Sequence, residues 1–282
     1  MVKELIKLLH SGAQANQNDR YRRHNLIIMP NTGDLVTAGD IHGHRRNFER
    51  IIAYAALDKN PDRHLILQEI IHGGPQDEEG GCLSFDLLID AVKLKVAYPD
   101  RVHCILANHD TAFINDSDVM KAGKEMNALM RAAMRRRFDS WTKNVESAIE
   151  QFLFSQPLAV RCLNRIWISH SLPSDRSIDK FDFSVFHRML KVSDIVKPNA
   201  AYLLTWGRAH SRKTIDFFAK QLDVDFFVLG HQLQETGWMS NNANLIIIDS
   251  QHNHGHLLHI RLDSKYTIEK LIGSLVPIAS IE

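Results

Sequence analysis

The sequence predicts an α/β protein whose chemistry gathers where strands end. Five short apolar runs each stop at a residue able to ligate a metal, and amphipathic segments with helical spacing lie between them. Residues 245–249 and 257–262 add two more strand-like runs, expected to pair with each other in a second sheet.

At the start of the chain Leu5, Leu8 and Leu9 share one helical face. A short helix over the first ten residues is therefore expected, followed by a polar loop at 11–20. Leu26-Ile27-Ile28-Met29 reads as a strand and residues 30–34 as a turn. The next strand, 35–38, runs into Gly39-Asp40-Ile41-His42-Gly43. This run has no helical period, and Gly43 allows a tight turn in which the Asp40 and His42 side chains converge. A carboxylate oxygen and an imidazole nitrogen two residues apart can hold one divalent ion. Phe48, Ile51, Ile52 and Ala55 then mark a helix face, and the start of that helix, with Arg45 and Arg46, favours an anion.

Leu65-Ile66-Leu67 leads into Gln68-Glu69, with His72 close behind. Residues 83–98 form an amphipathic helix punctuated by Pro99-Asp100, and the run 102–106 ends in Ala107-Asn108-His109-Asp110. Over 117–154 the character changes. Met126, Leu129, Met130, Ala133 and Met134 make one stripe, and Phe138, Trp141, Val145, Ala148, Ile149 and Phe152 another. A helical hairpin with a core-facing side is expected, with Arg131, Arg135, Arg136 and Arg137 on its solvated face, where their position next to the site leaves a substrate role open.

Residues 158–162 and 165–169 read as a β-hairpin that offers His170. Short helices are expected at 181–190 and 193–197, and a longer one through Ile215, Phe218, Ala219 and Leu222. Phe226-Phe227-Val228-Leu229 then ends in Gly230-His231. Between the last two strands, Ser250-Gln251-His252-Asn253-His254-Gly255-His256 either lines the site or makes a polar turn. The strand ends together supply enough hard oxygen and imidazole ligands for two ions bridged by one carboxylate.

Composition narrows the classes. A net charge of +1 gives no bulk attraction for nucleic acid or an acidic membrane. Cys82, Cys104 and Cys162 are scattered without metal spacing, as expected of free thiols in a reducing compartment. The first ten residues are too short and too charged for a signal peptide, and no run is long enough to cross a bilayer. A cytoplasmic enzyme is the expectation.

The order of these motifs resembles the metallophosphoesterases of the calcineurin-like superfamily over about residues 35–263. Their pattern runs Gly-Asp-x-His-Gly, Gly-Asp-x-x-Asp-Arg-Gly, Gly-Asn-His-Glu/Asp, a later His before two glycines, and a final Gly-His. The phosphoprotein-phosphatase branch fits best, since the last motif reads Gly230-His231-Gln232 and Trp206-Gly207 precedes it. The resemblance implies one domain over residues 1–282, a four-layer α/β/β/α sandwich with two mixed β-sheets, carrying a helical insertion at about 111–156. It implies a dinuclear site at the strand ends holding two divalent metal ions, Mn, Fe or Zn. Asp40, His42 and Glu69 would hold one ion, and Glu69, Asn108, His170 and His231 the other. Water bridging the ions would attack phosphorus while His109, tuned by Asp110, protonates the leaving oxygen.

The chain departs from that pattern at several places, among them Ser171-Leu172 after His170, where two glycines are expected. Glu69 stands for the bridging Asp, and His72 for the Asp that orients the catalytic His. Gly73 and Leu106 stand where phosphate-binding arginines are expected. His72 is left with three options: a hydrogen bond to His109, a metal ligand, or a place outside the site; a site role is preferred. Arg208 is the replacement phosphate clamp, with Arg45 a second substrate-binding residue. The implied substrate is a phosphate ester borne by a protein, a nucleotide or a small molecule. A symmetrical dinucleoside polyphosphate hydrolase is the alternative within the superfamily, and a metal-binding scaffold without turnover is the alternative outside catalysis. A nuclease is disfavoured by the lack of a basic stripe.

Overall fold

The structure is a computed structural model that describes residues 1–241 and 243–282. In chain order, α1 (Val2–Gln17) leads to β1 (Arg22–Arg23), β2 (Leu26–Ile28) and β3 (Asp34–Asp40). Next come α2 (Arg45–Ala55), β4 (Arg63–Gln68), α3 (Ser84–Ala97), β5 (Val102–Ile105) and α4 (Asn108–Ile114). A hairpin of β6 (Met120–Lys121) and β7 (Lys124–Glu125) precedes α5 (Met126–Phe138) and α6 (Thr142–Phe154). The second half holds β8 (Ala159–Arg161), β9 (Ile166–Ser169), α7 (Ala200–Trp206), α8 (Arg212–Leu222) and β10 (Phe226–Leu229). It closes with β11 (Trp238–Ser240), β12 (Leu245–Ile248), β13 (His256–Arg261), α9 (Ile268–Ile272) and β14 (Leu275–Pro277).

Alternation along the strands sorts apolar side chains into layers. One sheet runs β14-β13-β3-β4-β5, the other β1-β2-β8-β9-β10-β12-β11. Leu35, Ile66 and Ile105 from the first sheet share a buried cluster with Ile168, Val228, Ile246 and Ile248 from the second. Their neighbours Val36, Leu65, Leu67 and Cys104 pack instead with Phe48, Phe85, Leu88 and Phe152 of the helices. On the far side Trp167, Phe227, Leu229 and Ile247 join Leu204, Ile215 and Phe218. This is the expected α/β/β/α order, with period-two side chains feeding two cores from each sheet. Each fully buried Ile or Leu contributes roughly 1.5–3 kcal/mol relative to exposure, so the layer between the sheets holds them in register.

Both sheets are mixed, and each has a parallel centre. β3, β4 and β5 run parallel, as do β9, β10 and β12. The two centres meet where β3 and β12 end: Asp40 and Asp249 form a parallel bridge, and Ser250 N donates to Asp40 O at 3.1 Å. Gly39 permits this approach, because a Cβ there would stand 2.0 Å from Ile248 O. All the candidate ligands therefore leave their strands around one junction.

Three expectations need correction. The strands at 245–249 and 257–262 do not pair with each other: β12 lies between β10 and β11, and β13 between β3 and β14. The short loop between them passes from one sheet to the other, and partner choice is not encoded in either strand's own pattern. The polar segment after residue 10 is helix, since α1 continues to Gln17. Its Gly12 has room for little else, with a Cβ there 2.6 Å from Val92 Cγ1, and Asn16 donates to Ser155 Oγ at 2.9 Å. The helices expected at 181–190 and 193–197 are single 3-10 turns, Phe183–Phe186 and Val192–Ile195. Phe181, Val185 and Phe186 are held there by packing against Phe218 rather than by helical length.

The helical hairpin is present as α5 and α6, with Met126, Met130, Met134, Phe138, Val145, Ile149 and Phe152 in the core. Trp141, expected in the same stripe, is instead exposed, because it lies in the 3-10 turn Asp139–Trp141 that joins the two helices. Among the described residues, no helix is long and apolar enough to cross a membrane.

Candidate metal centre and active site

The strands stop sharply at the site, and their next residues turn back over the sheet ends. His42, Glu69, His72 and His231 take φ values of 46°, 46°, 67° and 67°. A non-glycine residue in this left-handed region costs about 1–3 kcal/mol, so surrounding contacts must hold it. They do so here through the backbone: Ile41 N and His42 N both donate to Glu69 O, at 3.1 and 2.7 Å.

The donor atoms converge on two centres that share Glu69. Glu69 Oε2 lies 3.0 Å from His170 Nε2. Asn108 Oδ1 lies 2.8 Å from His170 Nε2 and 2.9 Å from His231 Nδ1, and those two ring nitrogens are 3.1 Å apart. On the other side, His42, Glu69 and His109 each bring a donor atom within 4.8 Å of the others. Asp40 stands by both groups: Oδ1 accepts from His231 N at 2.9 Å and lies 3.6 Å from His170 Nδ1, while Oδ2 is 4.0 Å from His42 Nε2.

Neighbouring groups aim these rings. Gln68 Oε1 is 3.0 Å from His170 Nδ1, and Ile71 O is 3.0 Å from His42 Nδ1, so each ring turns its Nε2 inward. Gln68 is itself anchored by donating to Ala38 O at 2.9 Å. Gly230 has to be glycine, because a Cβ would sit 2.4 Å from Asp40 Oδ1 and 2.7 Å from Gln68 Oε1.

Electrostatics favour a cation at this point. Burial pushes the Asp40 carboxyl up to about 7 and raises Glu69 as well. Burial also lowers His170 to about 4 and holds His42, His109 and His231 well below the usual imidazole range. Neutral rings offer lone pairs, the form that binds a metal. Among the described residues, no Lys or Arg hydrogen-bonds Asp40 or Glu69, so their buried charge lacks a bonded partner. Donors bound at right angles about 2.1 Å from one ion stand roughly 3.0 Å from each other. The spacings among Glu69, Asn108, His170 and His231 match that, and the mixed nitrogen and oxygen set fits a divalent transition ion.

Of the three arrangements open to His72, the hydrogen bond to His109 is the one present, Nδ1 to Nδ1 at 2.9 Å in a fully buried position. Arg208 reaches the rim, where its Nη1 donates to His231 O at 2.9 Å and its charge acts on Glu69 and His170. Two residues are engaged elsewhere. Arg45 Nη1 lies 2.9 Å from Asp90 Oδ2 on α3 and 3.8 Å from Glu49, so its charge is met by acids of the helical layer. Asp110 caps α4: its Oδ2 accepts from Ala107 N at 3.0 Å and Gln156 Nε2 at 3.1 Å, with no hydrogen bond to His109.

Sequence reasoning missed residues that the structure brings to this junction, among them Lys121, whose Nζ donates at 2.7 Å to Gln251 Oε1, beside Asp249. Gln68 orients His170, and nothing in its local pattern marks that task. Asp249 ends an apolar run just as Asp40 does, and that signal was available. Lys121 carries no local signal. The His-rich run borders the site as a stitched turn, with Asn47 Nδ2 donating to Ser250 O and His252 O, and His252 Nε2 3.5 Å from Asp249 Oδ2.

The sequence profile described as calcineurin-like phosphoesterase matches residues 34–235. Comparison with curated proteins finds no match. Among solved structures, the chain is similar to a protein serine/threonine phosphatase from Saccharomyces cerevisiae with similarity to human phosphatase PP5. The TM-score is 0.68 at 15% identity, covering 98% of this chain and 93% of that one. A cold-active protein-tyrosine phosphatase of a psychrophilic Shewanella species is similar at TM-score 0.59 and 15% identity, covering 85% of this chain and 78% of the other. At these identities the likeness is one of fold.

Proposed function

This chain belongs to the calcineurin-like phosphoesterase family and is a metallophosphoesterase, and from that premise we propose that it hydrolyses phosphomonoesters at a centre of two divalent ions. One observation carries the reading: Glu69 is common to two buried donor groups, one with His42 and His109 and one with His170 and His231, and the Asp40 carboxylate stands beside both. Asp40, His42 and Glu69 would hold one ion, and Glu69, Asn108, His170 and His231 the other; manganese, iron and zinc all suit such ligands. When bound, the ions supply Lewis acidity toward the phosphoryl oxygens and toward water.

The chain's own residues do the rest. Arg208 binds a phosphoryl oxygen and offsets charge that builds there. His72 and His109 share one hydrogen between their Nδ1 atoms, which fixes the His109 ring and leaves its Nε2 free. Once protonated at Nε2, with its Nδ1–H donated to His72, His109 delivers that Nε2 proton to the leaving oxygen and returns to the neutral ring. Residues 1–282 act as one domain, and the three buried, unpaired cysteines suit the cytoplasm.

The test is hydrolysis of p-nitrophenyl phosphate by chelated protein, repeated after manganese is added back. Restored turnover supports the reading. Bound metal with no turnover of a phosphomonoester or diester would sink it in favour of a non-catalytic scaffold.

A further inference from the structure

Arg208 brings one cation to the rim of the site, where its Nη1 donates to His231 O. A second cation arrives on the β6–β7 hairpin. Met120 pairs with Glu125 and Lys121 with Lys124 across Ala122 and Gly123, whose φ values of 51° and 75° give the primed turn that suits a two-residue loop. Its base is pinned by Glu125, whose Oε1 accepts from Val119 N at 3.1 Å and Asn127 N at 3.0 Å.

The two lysines stand directly opposite each other, where like charges repel. They resolve this differently. Lys124 is exposed, whereas Lys121 is half-buried and its Nζ donates to Gln251 Oε1 at 2.7 Å. Gln251 in turn donates from Nε2 to Asp249 Oδ2 at 3.2 Å and from its backbone to Asp249 Oδ1 at 3.0 Å, and Asp249 bridges to Asp40. Lys121 is therefore tied to the β3–β12 junction through a single side chain. Burial lowers its ammonium to about 8, while Glu69, Asp40 and Asp249 pull the other way. Its charge is felt in turn by His42, His72 and His109. Among the described residues it makes no salt bridge: its partner is a neutral amide, which a phosphoryl oxygen displaces without breaking an ion pair.

We propose that Lys121 is a phosphate-binding residue which, with Arg208, holds the phosphoryl oxygens and selects a dianionic terminal phosphoryl group over a diester. This rests on the phosphoesterase reading above. A second cation favours the substrate in proportion to its charge, so a phosphomonoester gains more than a diester.

The experiment compares manganese-loaded wild type, Lys121→Met and Lys121→Arg. Three quantities are read: inorganic phosphate affinity by calorimetry, and KM for p-nitrophenyl phosphate and for bis(p-nitrophenyl) phosphate. Lys121→Met is expected to weaken phosphate and raise the monoester KM by about tenfold or more, the worth of one charge-assisted hydrogen bond. The diester KM should rise by only about threefold, in line with its single charge, the manganese content should hold, and Lys121→Arg should recover most of the loss. Equal losses on both esters, unchanged phosphate affinity, or loss of manganese from Lys121→Met would overturn the assignment while wild-type turnover leaves the parent reading standing. A manganese-loaded wild type that neither binds phosphate nor cleaves either ester sinks both.

Discussion

Strands β4 and β5 carry buried polar clusters at both ends, and the two clusters differ in how their charge closes. At the amino ends, Asp19 Oδ2 lies 3.0 Å from Lys95 Nζ and 3.0 Å from His103 Nδ1, and His103 Nε2 lies 3.1 Å from His64 Nδ1. Burial alone would raise the Asp19 carboxyl, yet His103 and Lys95 outweigh it and hold it low. Burial lowers His64 to about 3 and lowers His103 too. Both rings are then neutral: His64 Nδ1 and His103 Nε2 share one hydrogen, and His103 Nδ1 stands against Asp19 Oδ2. One acid meets one base, and nothing is left over.

At the carboxyl ends of the same strands, Glu69 and Asn108 join Asp40, His42, His170 and His231 with two acids and no bonded base. Burial of polar groups is thus no mark of function by itself. What separates the two ends is residual charge with lone pairs turned to a common point, and a cation answers both needs.

The comparison can be broken most directly at His170. His170→Ala should cost metal and at least about a thousandfold in turnover, because a bound ion is worth several kcal/mol to the transition state. Full metal content in that variant, by elemental analysis, would contradict the ligand role. His109→Ala should lower turnover about 10²–10⁴-fold and keep the metal. If it instead loses metal as His170→Ala does, His109 is a ligand beside His42 and Glu69, and another group donates the proton.

The opposite end should respond in stability. Asp19→Asn leaves Lys95 buried without its partner and should cost about 3–5 kcal/mol in chemical denaturation, with metal content unchanged. Lost metal or unchanged stability would erase the distinction between the clusters. Gln68→Ala, which frees His170 Nδ1, should cost about 10–100-fold in metal affinity or activity, and a silent substitution would show that the ring is held by packing alone.

The smallest effect is one of pH. Because the folded state depresses the Asp19 carboxyl, its stabilisation is complete above about pH 4, near the unfolded value, and fades as pH falls toward the folded one. The stability gap between wild type and Asp19→Asn should therefore narrow on acidification; a gap that widens has the wrong sign.

Most of the strand-end donor residues that converge were legible because their signal is local: an apolar run, then a polar residue at a turn. Asp249 carries the same signal after Leu245-Ile246-Ile247-Ile248, and the sequence reading treats it only as the end of a strand. Arg45 and Asp110 mark the opposite limit. Each stands beside a true strand end, but Asp90 and Gln156, distant in sequence, take up their side chains. Lys121 lies in a polar stretch with no apolar period, and only the crossing loop that carries Gln251 reveals where its ammonium points.

The sequence by itself determined which residues stand where strands stop, since alternation, helical spacing and turn chemistry are relations between neighbours along the chain. Tertiary structure alone decided that β12 and β13 part into different sheets, that His72 meets His109, that Glu69 serves two donor groups, and that Lys121 faces the junction. Each of those depends on contacts between residues far apart in the chain, and a strand's own pattern says which side faces a core without naming the partner across it.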